Sequence, residues 1–228
     1  MKLSSQTQSL LKSFAGINSN LLIRAGNGLA TRNATGSIQA RATVDETFPR
    51  NLAIYDLNQL LGLISVSSDP DIEFFETHLT ITSATGGVIK YFYAEESLIK
   101  SVPENEPEVN KVFSFSLTNN DMNVIQKTAS IVAATTLSVV SSNGYATLLI
   151  NDPKNNTSNS YSKSLGESDI DFTMRVTIDN IRPIVDDTYA VTIGQVVAKN
   201  GIKVPVFRFS SENRNLRYLI AADTNSKI

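Results

Sequence analysis

Apolar residues recur at intervals of three and four positions in three segments of the chain, and this spacing predicts amphipathic helices. The first predicted helix runs from Ser5 to Ala15, with Ser5 and Gln8 in the arrangement of a capping box and Gly16 as its terminator. Its apolar stripe consists of Leu10, Leu11, Phe14 and Ile17. One face of this helix should therefore pack against a hydrophobic core.

The second and third segments each begin at a residue that can cap a helix. Asp56 precedes the second stripe, and Thr118 with Asp121 has capping-box spacing ahead of the third. The stripes are Leu57, Leu60, Leu61 and Ile64 in the second segment, and Met122, Val124, Ile125, Ala129, Ile131 and Val132 in the third. We expect the third helix to be longer than the first. Asp179 would cap a fourth, very short helix that Pro183 ends.

Between these helices, alternating and β-branched segments predict antiparallel strands. In the first half the strands are expected at 20–23, 29–32, 37–44, 52–55, 73–75, 78–82 and 88–93, and in the second half at 112–117, 189–197, 204–209 and 216–221. Glycine-containing turns should join hairpins at 26–28, 84–87, 143–144 and 200–201. Helices laid on antiparallel sheet define an α+β fold.

The chain also repeats itself. Residues 21–31 and 137–147 share the pattern Asn-Gly-x-Ala-Thr in the same register, and each copy has a helix before it and the start of a second helix after it. An acidic segment with two prolines, without periodicity, separates the copies at 96–111. We therefore expect two similar domains, 1–95 and 112–228, joined by this linker.

Composition excludes several classes of protein. The chain has no cysteine, so disulfides, thiol catalysis and zinc–thiolate sites are excluded. No apolar run approaches the roughly 20 residues that span a bilayer. The first residues lack the apolar core of a signal peptide. We expect a cytoplasmic protein that does not act in a membrane.

No catalytic constellation is visible in the sequence. His78 is the only histidine, and it lies in a predicted strand without a recognisable serine and acid. The glycine turns lack the Gly-Lys-Ser/Thr ending of a phosphate-binding loop. We expect no enzyme, no metal and no cofactor, although a hydrolase with an unrecognised site stays an alternative.

Charge is distributed unevenly between the predicted elements. On the four helices the acids occur only in first turns, where they can cap, namely at Asp56, Asp121 and Asp179. The other helix charges are all basic: Lys12, Lys127 and Arg182. These residues either lie on ordinary solvated faces or form a surface that meets a polyanion. With a formal net charge of -2, the whole chain should not hold DNA tightly by attraction alone.

Four segments of the first domain carry a resemblance to a known family: 1–4 (MKLS), 10–15 (LLKSFA), 17–19 (INS) and, above all, 53–62 (AIYDLNQLLG). They resemble the sliding clamps of T-even-type bacteriophages. The resemblance is specific over roughly the first 65 residues. Beyond them it depends on the order of elements, the linker and the short last helix.

This resemblance implies a duplicated DNA-clamp fold with two helices on antiparallel sheet in each domain. Three such chains would close into a ring around double-stranded DNA, with the helices inside. The ring would be a non-catalytic DNA polymerase processivity factor, placed on DNA by an ATP-driven clamp loader in the cytoplasm of an infected bacterium. The residues expected to face the DNA backbone, independently of base sequence, are Lys2, Lys12, Lys127 and Arg182.

The resemblance also implies two protein-binding surfaces. The subunit interface would pair the last strand of the first domain with a strand of the next subunit, which involves Val88, Tyr91, Phe92, Tyr93, Tyr161 and Ser164. The pocket for the polymerase or loader would lie beside the linker and include Leu98, Val102, Val109, Leu219 and Ala221. A viral structural or assembly protein built from duplicated β-rich domains is the first alternative.

Overall fold

A computed structural model describes residues 1–103, 105–198 and 200–228. The chain divides into two compact units, Met1–Pro103 and Glu104–Ile228, which we call domain 1 and domain 2. The boundary falls inside the predicted linker, where a short 3₁₀ turn covers Glu96–Leu98 and the first strand of domain 2 begins at Asn110. Glu104, one of the acids of the predicted linker, lies outside the described residues.

Domain 1 contains two helices, α1 (Ser5–Ile17) and α2 (Leu57–Ser65). Their predicted apolar stripes are buried. The predicted capping box of α1 is wrong, because the N-cap is Ser4, whose hydroxyl oxygen accepts a hydrogen bond from the Thr7 amide at 3.1 Å. Gly16 does not end α1 either, since the helix continues to Ile17 and covers one more buried apolar position.

The cap of α2 is the predicted one. The side chain of Asp56 accepts a hydrogen bond from the Gln59 amide at 2.9 Å. The Tyr91 hydroxyl then binds the Asp56 backbone on both sides, accepting from its amide at 3.2 Å and donating to its carbonyl at 3.1 Å. This contact ties the start of α2 to the last strand of the domain.

Seven strands complete domain 1: β1 (Leu21–Ile23), β2 (Gly26–Arg32), β3 (Ile38–Phe48), β4 (Leu52–Ile54), β5 (Asp71–Phe74), β6 (His78–Thr82) and β7 (Val88–Phe92). β1 pairs with β4, β2 pairs with β3, and β5, β6 and β7 form a three-stranded sheet, all antiparallel. The predicted turn at 84–87 joins β6 to β7, with Gly86 at a positive φ of 84°.

The predicted hairpin turn at Gly26–Gly28 is wrong. These residues lie inside β2, and the pairing register with β3 shifts between Gly26 and Gly28, as in a β-bulge. The chain instead turns at Arg24 and Ala25, ahead of β2, and β1 makes its ladder with β4. The shared Asn-Gly-x-Ala-Thr pattern therefore marks a strand in one domain and a turn in the other.

Domain 2 has one α-helix, α3 (Asn119–Ile131), and eight strands. The strands are β8 (Asn110–Leu117), β9 (Thr136–Ser142), β10 (Tyr145–Asn151), β11 (Tyr161–Glu167), β12 (Phe172–Thr177), β13 (Tyr189–Val197), β14 (Lys203–Ser211) and β15 (Leu216–Ala221). The capping box of Thr118 and Asp121 is confirmed. The prediction that α3 is longer than α1 is wrong, because both helices have 13 residues.

The strands of domain 2 form two antiparallel sheets. One has the order β11, β10, β9, β12, and in the other β15, β14, β13 and β8 are neighbours. Asn143 and Gly144, with φ of 54° and 84°, form the predicted turn between β9 and β10. The fourth predicted helix is only a 3₁₀ turn at Ile178–Asn180 without a side-chain cap, so Asp179 does not cap it.

The order of elements confirms the duplication. After a helix, each domain has four strands, a helical segment and three further strands: α1, β1–β4, α2, β5–β7 in domain 1, and α3, β9–β12, the 3₁₀ turn, β13–β15 in domain 2. The pairs β2–β3 and β1–β4 correspond to β10–β11 and β9–β12. The fold is therefore a duplicated α+β fold, in which the second helix of domain 2 has shortened to one turn.

Gly194 is a position where this packing allows no side chain. A Cβ atom there would lie 2.2 Å from the Asn110 carbonyl oxygen and 2.7 Å from a methyl group of Val109. We expect Gly194→Ala to separate β8 from β13 and to lower the free energy of unfolding by about 2 kcal/mol. Urea denaturation would measure the loss. Gly28→Ala, with open space around the added atom, is the control, and equal stability of the two variants would contradict the prediction.

Candidate nucleic-acid interface and open sheet edges

The solvent-facing sides of the three helices carry no exposed acid in the described residues. Most exposed positions are small or polar: Ser5, Gln6, Ser9 and Gly16 on α1, Asn58, Gln59, Gly62 and Ser65 on α2, and Asn119, Asn120 and Ser130 on α3. The two charged exposed residues are Lys12 on α1 and Lys127 on α3. Polar, neutral surface with a few cations is compatible with a phosphate backbone and gives no base-specific contacts.

The single acid within these helices is removed from the solvent. Asp121 is 9% exposed and forms an ion pair with Lys163 of β11. Burial alone would raise the pKa of Asp121, but the Lys163 ammonium and hydrogen bonds from Thr118 outweigh it, and the pKa lies below its usual value. The carboxylate is thus both charged and neutralised by a partner inside domain 2.

The start of α1 in domain 1 is held by Glu46 of β3. Its carboxylate accepts hydrogen bonds from the Ser4 amide and the Thr7 hydroxyl, each at 2.5 Å. Burial raises the pKa of Glu46, and these hydrogen bonds lower it further than burial raises it. Sequence reasoning missed this contact, since 39 positions separate Thr7 from Glu46 and no local spacing reports it.

The four predicted DNA-facing residues fall into two groups. Lys12 and Lys127 are exposed on their helices, and no ion pair involves either of them among the described residues. Lys2 forms an ion pair with Asp69, and the Arg182 side chain lies 3.2 Å from Asp179. Arg182 follows the 3₁₀ turn and is not on an α-helix. Exposed pairs of this kind contribute about 0–1 kcal/mol and are screened by salt.

Two sheets have one edge that is covered within its own domain. In domain 1 Met1 pairs with the outer side of β5, with the Ile72 amide donating to the Met1 carbonyl at 2.9 Å. In domain 2 the segment after β15 covers β12, because Thr173 and Lys227 exchange backbone hydrogen bonds of 2.8 and 2.7 Å. Backbone groups at both edges therefore have hydrogen-bond partners within their own domain.

The opposite edges of the same two sheets have no strand beside them in the described residues. They are β7 of domain 1 and β11 of domain 2. β11 keeps a regular register with β10 from Tyr161 to Ser164, and the register shifts beyond this stretch. An unpaired strand edge offers backbone donors and acceptors to another chain.

The predicted interface residues of β7 differ in exposure. Val88 and Phe92 are 59% and 66% exposed and lie on one face of the strand. Tyr91 is buried, so its side chain belongs to the core of domain 1 and not to an outer surface. Tyr93 lies beyond β7 and is half-buried, and desolvation raises the pKa of its hydroxyl to about 12.

A cluster of aromatic rings, His78, Phe75 and Phe92, lies beside this edge. The His78 ring stacks on Phe75 with centroids 4.8 Å apart, and its other neighbour, Phe92, lies at 5.4 Å. His78 and Phe92 are direct partners in the β6–β7 ladder. The histidine is thus a packing residue of this sheet face, as expected for a strand histidine.

The predicted partner-pocket residues belong to two places, one in each domain. In domain 1 Leu98 is exposed and Val102 is buried. In domain 2 Val109 packs against a buried cluster of Val196, Val206 and Leu219, and Ala221 is half-buried on β15. Glu106, which precedes Val109, is held against β14 and β15. One of its carboxylate oxygens lies 3.5 Å from Arg208 of β14, and the other lies 3.5 Å from Arg217 of β15.

The described part of the chain shows no grouping of three or more histidine, cysteine, aspartate or glutamate residues that could hold a metal ion. Within the same residues, no helix is long and apolar enough to cross a membrane.

Comparison with known proteins identifies the fold. No protein-family model matches the chain. The sliding clamp of Vibrio phage KVP40 is 28% identical over 199 residues, covering 85% of this chain and 90% of the relative. The sliding clamp of Enterobacteria phage T4 is 42% identical over 69 residues, or 30% of each chain. A crystal structure of the DNA polymerase III subunit beta sliding clamp from Bartonella birtlesii superposes with a TM-score of 0.67 at 13% identity, covering 98% of this chain and 64% of that chain.

The duplicated α+β architecture is therefore the DNA-clamp fold, as the resemblance of the first 65 residues predicts. In sequence, the chain is similar to the sliding clamps of T-even-type bacteriophages. Its relationship to proteins of that name also agrees with the expectation that it is not an enzyme.

Proposed function

We propose that this chain is a DNA polymerase processivity factor that acts as a homotrimeric ring around double-stranded DNA. The ring tethers the polymerase by topology and is placed on DNA by an ATP-driven clamp loader inside the infected host cell. The relatives that carry the name sliding clamp support this function. Three chains of two domains each would supply six similar units around the DNA.

The observation that carries the proposal is the pair of open edges, β7 in domain 1 and β11 in domain 2. Because the two edges are different surfaces of one chain, their pairing between copies is head-to-tail, and head-to-tail contacts that close generate rings. The regular stretch Tyr161–Ser164 is similar in length to β7, so four or five residues could pair. Exposed Val88 and Phe92 would be covered in the same interface.

Lys12 and Lys127 support the position of the DNA. Each domain presents one unpaired lysine on its long helix, at the eighth residue of α1 and the ninth of α3. A ring would repeat these cations around the duplex, where they contact phosphates of any sequence. Lys2 and Arg182 would join them once phosphate replaces their exposed acid partners.

The apolar cluster under Val109 supports a docking place for a hydrophobic tail of the polymerase or the clamp loader. Val204 on β14 is also partly buried and packs against this cluster. It would extend the surface that Val109 and Leu219 begin.

Solution mass and behaviour on DNA test the proposed function together. Three chains of 24.8 kDa give a particle of about 74 kDa in sedimentation equilibrium. After loading, the ring should stay on nicked circular DNA and leave when the same DNA is cut once. A monomer, or retention that cutting does not change, would contradict the ring. Open filaments or shells that form without DNA would instead favour a structural or assembly protein.

A charge at the open edge of β7 should break the ring. Phe92→Asp places a carboxylate at an exposed position whose burial between subunits would strand that charge. We expect the dissociation constant of the 74 kDa particle into monomers to rise at least tenfold, while the circular dichroism spectrum stays unchanged. The matched control is Ile202→Asp, an equally exposed apolar residue of domain 2. A sedimentation profile of Phe92→Asp identical to that of the control would remove β7 from the interface.

A further inference from the structure

Domain 1 contains a pocket that no role in ring closure or DNA contact explains. It is partly open to solvent and is bordered by β1, β2 and the segment 100–102. Its polar lining consists of Asn20, Arg24, Thr31, Lys100 and Ser101, and Val102 lies beside them. No residue of α1, α2 or β7 contributes to it.

The charge of this pocket selects an anion. Two cations, Arg24 and Lys100, line it, and no acid does among the residues that the structure describes. The Arg24 side chain is exposed and forms no ion pair with any described residue. The Lys100 ammonium donates one hydrogen bond to the Ala34 carbonyl at 3.1 Å and has two further donors. In a chain of formal net charge -2, such an acid-free pair of cations is a local exception.

We propose that this pocket binds carboxylate groups of an acidic segment in a protein partner of the ring, an assignment that rests on the proposed function. An arginine fork next to a lysine suits a carboxylate, because charge-assisted hydrogen bonds to both oxygens form at once. The Asn20 amide and the Ser101 hydroxyl add neutral partners. The pocket is partly open to solvent and too small for a duplex.

The position of the segment 100–103 explains why a protein partner is favoured over DNA. Arg41 donates a hydrogen bond to the Pro103 carbonyl, and Lys100 binds Ala34, so this part of the chain is held against β2 and β3 of domain 1. The pocket therefore begins where the connection to domain 2 begins, and none of its lining residues belongs to α1, the helix of domain 1 that carries Lys12. A partner that follows the connection between the domains would pass it.

Binding of a fluorescein-labelled tetraglutamate peptide to the full chain, followed by fluorescence anisotropy, tests the assignment. The double variant Arg24→Gln/Lys100→Gln should weaken binding at least tenfold. The control Lys111→Gln/Lys154→Gln removes two exposed cations from domain 2 and should stay within twofold of wild type. A tetraglutamine peptide should bind neither the wild type nor either of the two double variants.

The proposal would be overturned if the two double variants bound tetraglutamate equally, whether both kept the wild-type affinity or both lost it. Either result would mean that this pocket does not bind the peptide specifically. The proposal would also be overturned, in favour of DNA, if binding of a 20-base-pair duplex depended on Arg24 and Lys100 while binding of tetraglutamate did not. Solution mass and retention on circular DNA are measured on the same variants. They report the ring separately, so a pocket without a ligand is distinguishable from a chain that is not a clamp.

Discussion

Reversing the charge of Lys12 and Lys127 together is expected to abolish processive DNA synthesis while the ring stays intact. In a trimer Lys12→Glu/Lys127→Glu replaces six positive charges by six negative ones on the faces proposed to surround the duplex. Six lost phosphate contacts alone would change the salt dependence of binding by a slope of about 5. We expect the length of products made in one binding event to fall at least tenfold.

The measurement is primer extension on a long circular template with excess competitor template, at two salt concentrations. Lys111→Glu/Lys154→Glu is the control, because it makes the same change of charge at exposed positions on a strand and a loop of domain 2. Sedimentation of all variants confirms that they form the same particle. An equal loss of processivity in the two double variants would show that charge in general matters, and not the helix faces. Wild-type processivity of Lys12→Glu/Lys127→Glu would contradict the assignment of these faces to DNA.

Lys2 and Arg182 should matter less than the unpaired lysines. Each already has a carboxylate partner within its domain, Asp69 for Lys2 and Asp179 for Arg182. Contact with phosphate then exchanges one ion pair for another and gains little. The sequence alone does not show which of the four cations have carboxylate partners.

The helices illustrate what the sequence predicts well. An apolar stripe is local, so its four positions within the 13 residues of α1 or the 9 residues of α2 already determine which face of the helix is buried. The cap of α2 and the capping box of α3 are local as well, and both are confirmed. The predicted cap of α1 is wrong because Ser4 and Ser5 are adjacent and both are residues that can cap, and because the Ser4 amide has an additional partner, Glu46, that lies 42 positions away in β3.

Contacts between distant segments are what the sequence could not supply. Gly26–Gly28 has the composition of a turn, yet pairing with β3 keeps it in a strand with a bulge. Likewise, Lys163 and Asp121 are 42 positions apart, and only the antiparallel order of β9, β10 and β11 brings them together. Open and covered sheet edges follow from the same long-range pairing.

Asp187 is the strongest example of such a contact, and sequence reasoning gave it no role. It is 3% exposed, lies just before β13, and accepts hydrogen bonds from the Ser211 hydroxyl at 2.7 Å and the Asn213 side-chain amide at 2.5 Å. The Arg214 guanidinium lies 2.8 Å from the same carboxylate. One buried acid therefore fixes the turn between β14 and β15.

Replacing Asp187 should destabilise domain 2 in a pH-dependent way. Asp187→Ala leaves Arg214 and the amide of Asn213 without their partner, and we expect a loss of about 3 kcal/mol in the free energy of unfolding near pH 7. Hydrogen exchange of the β14 and β15 amides would measure it locally. The adjacent Asp186→Ala, at an exposed position, is the control and should change stability by less than about 0.5 kcal/mol.

The sign of the pH dependence follows from the carboxylate. Burial alone would raise the pKa of Asp187, but hydrogen bonds from Asn213 and Ser211, with the charge of Arg214, lower it below the value of an unfolded aspartate. The group therefore stabilises the fold above the unfolded pKa of about 3.9, and this contribution disappears as the pH falls through the lower folded pKa. The stability gap between wild type and Asp187→Ala should narrow progressively below about pH 4. A gap that stays constant from pH 7 to pH 3 would mean that Asp187 acts through shape and not through charge.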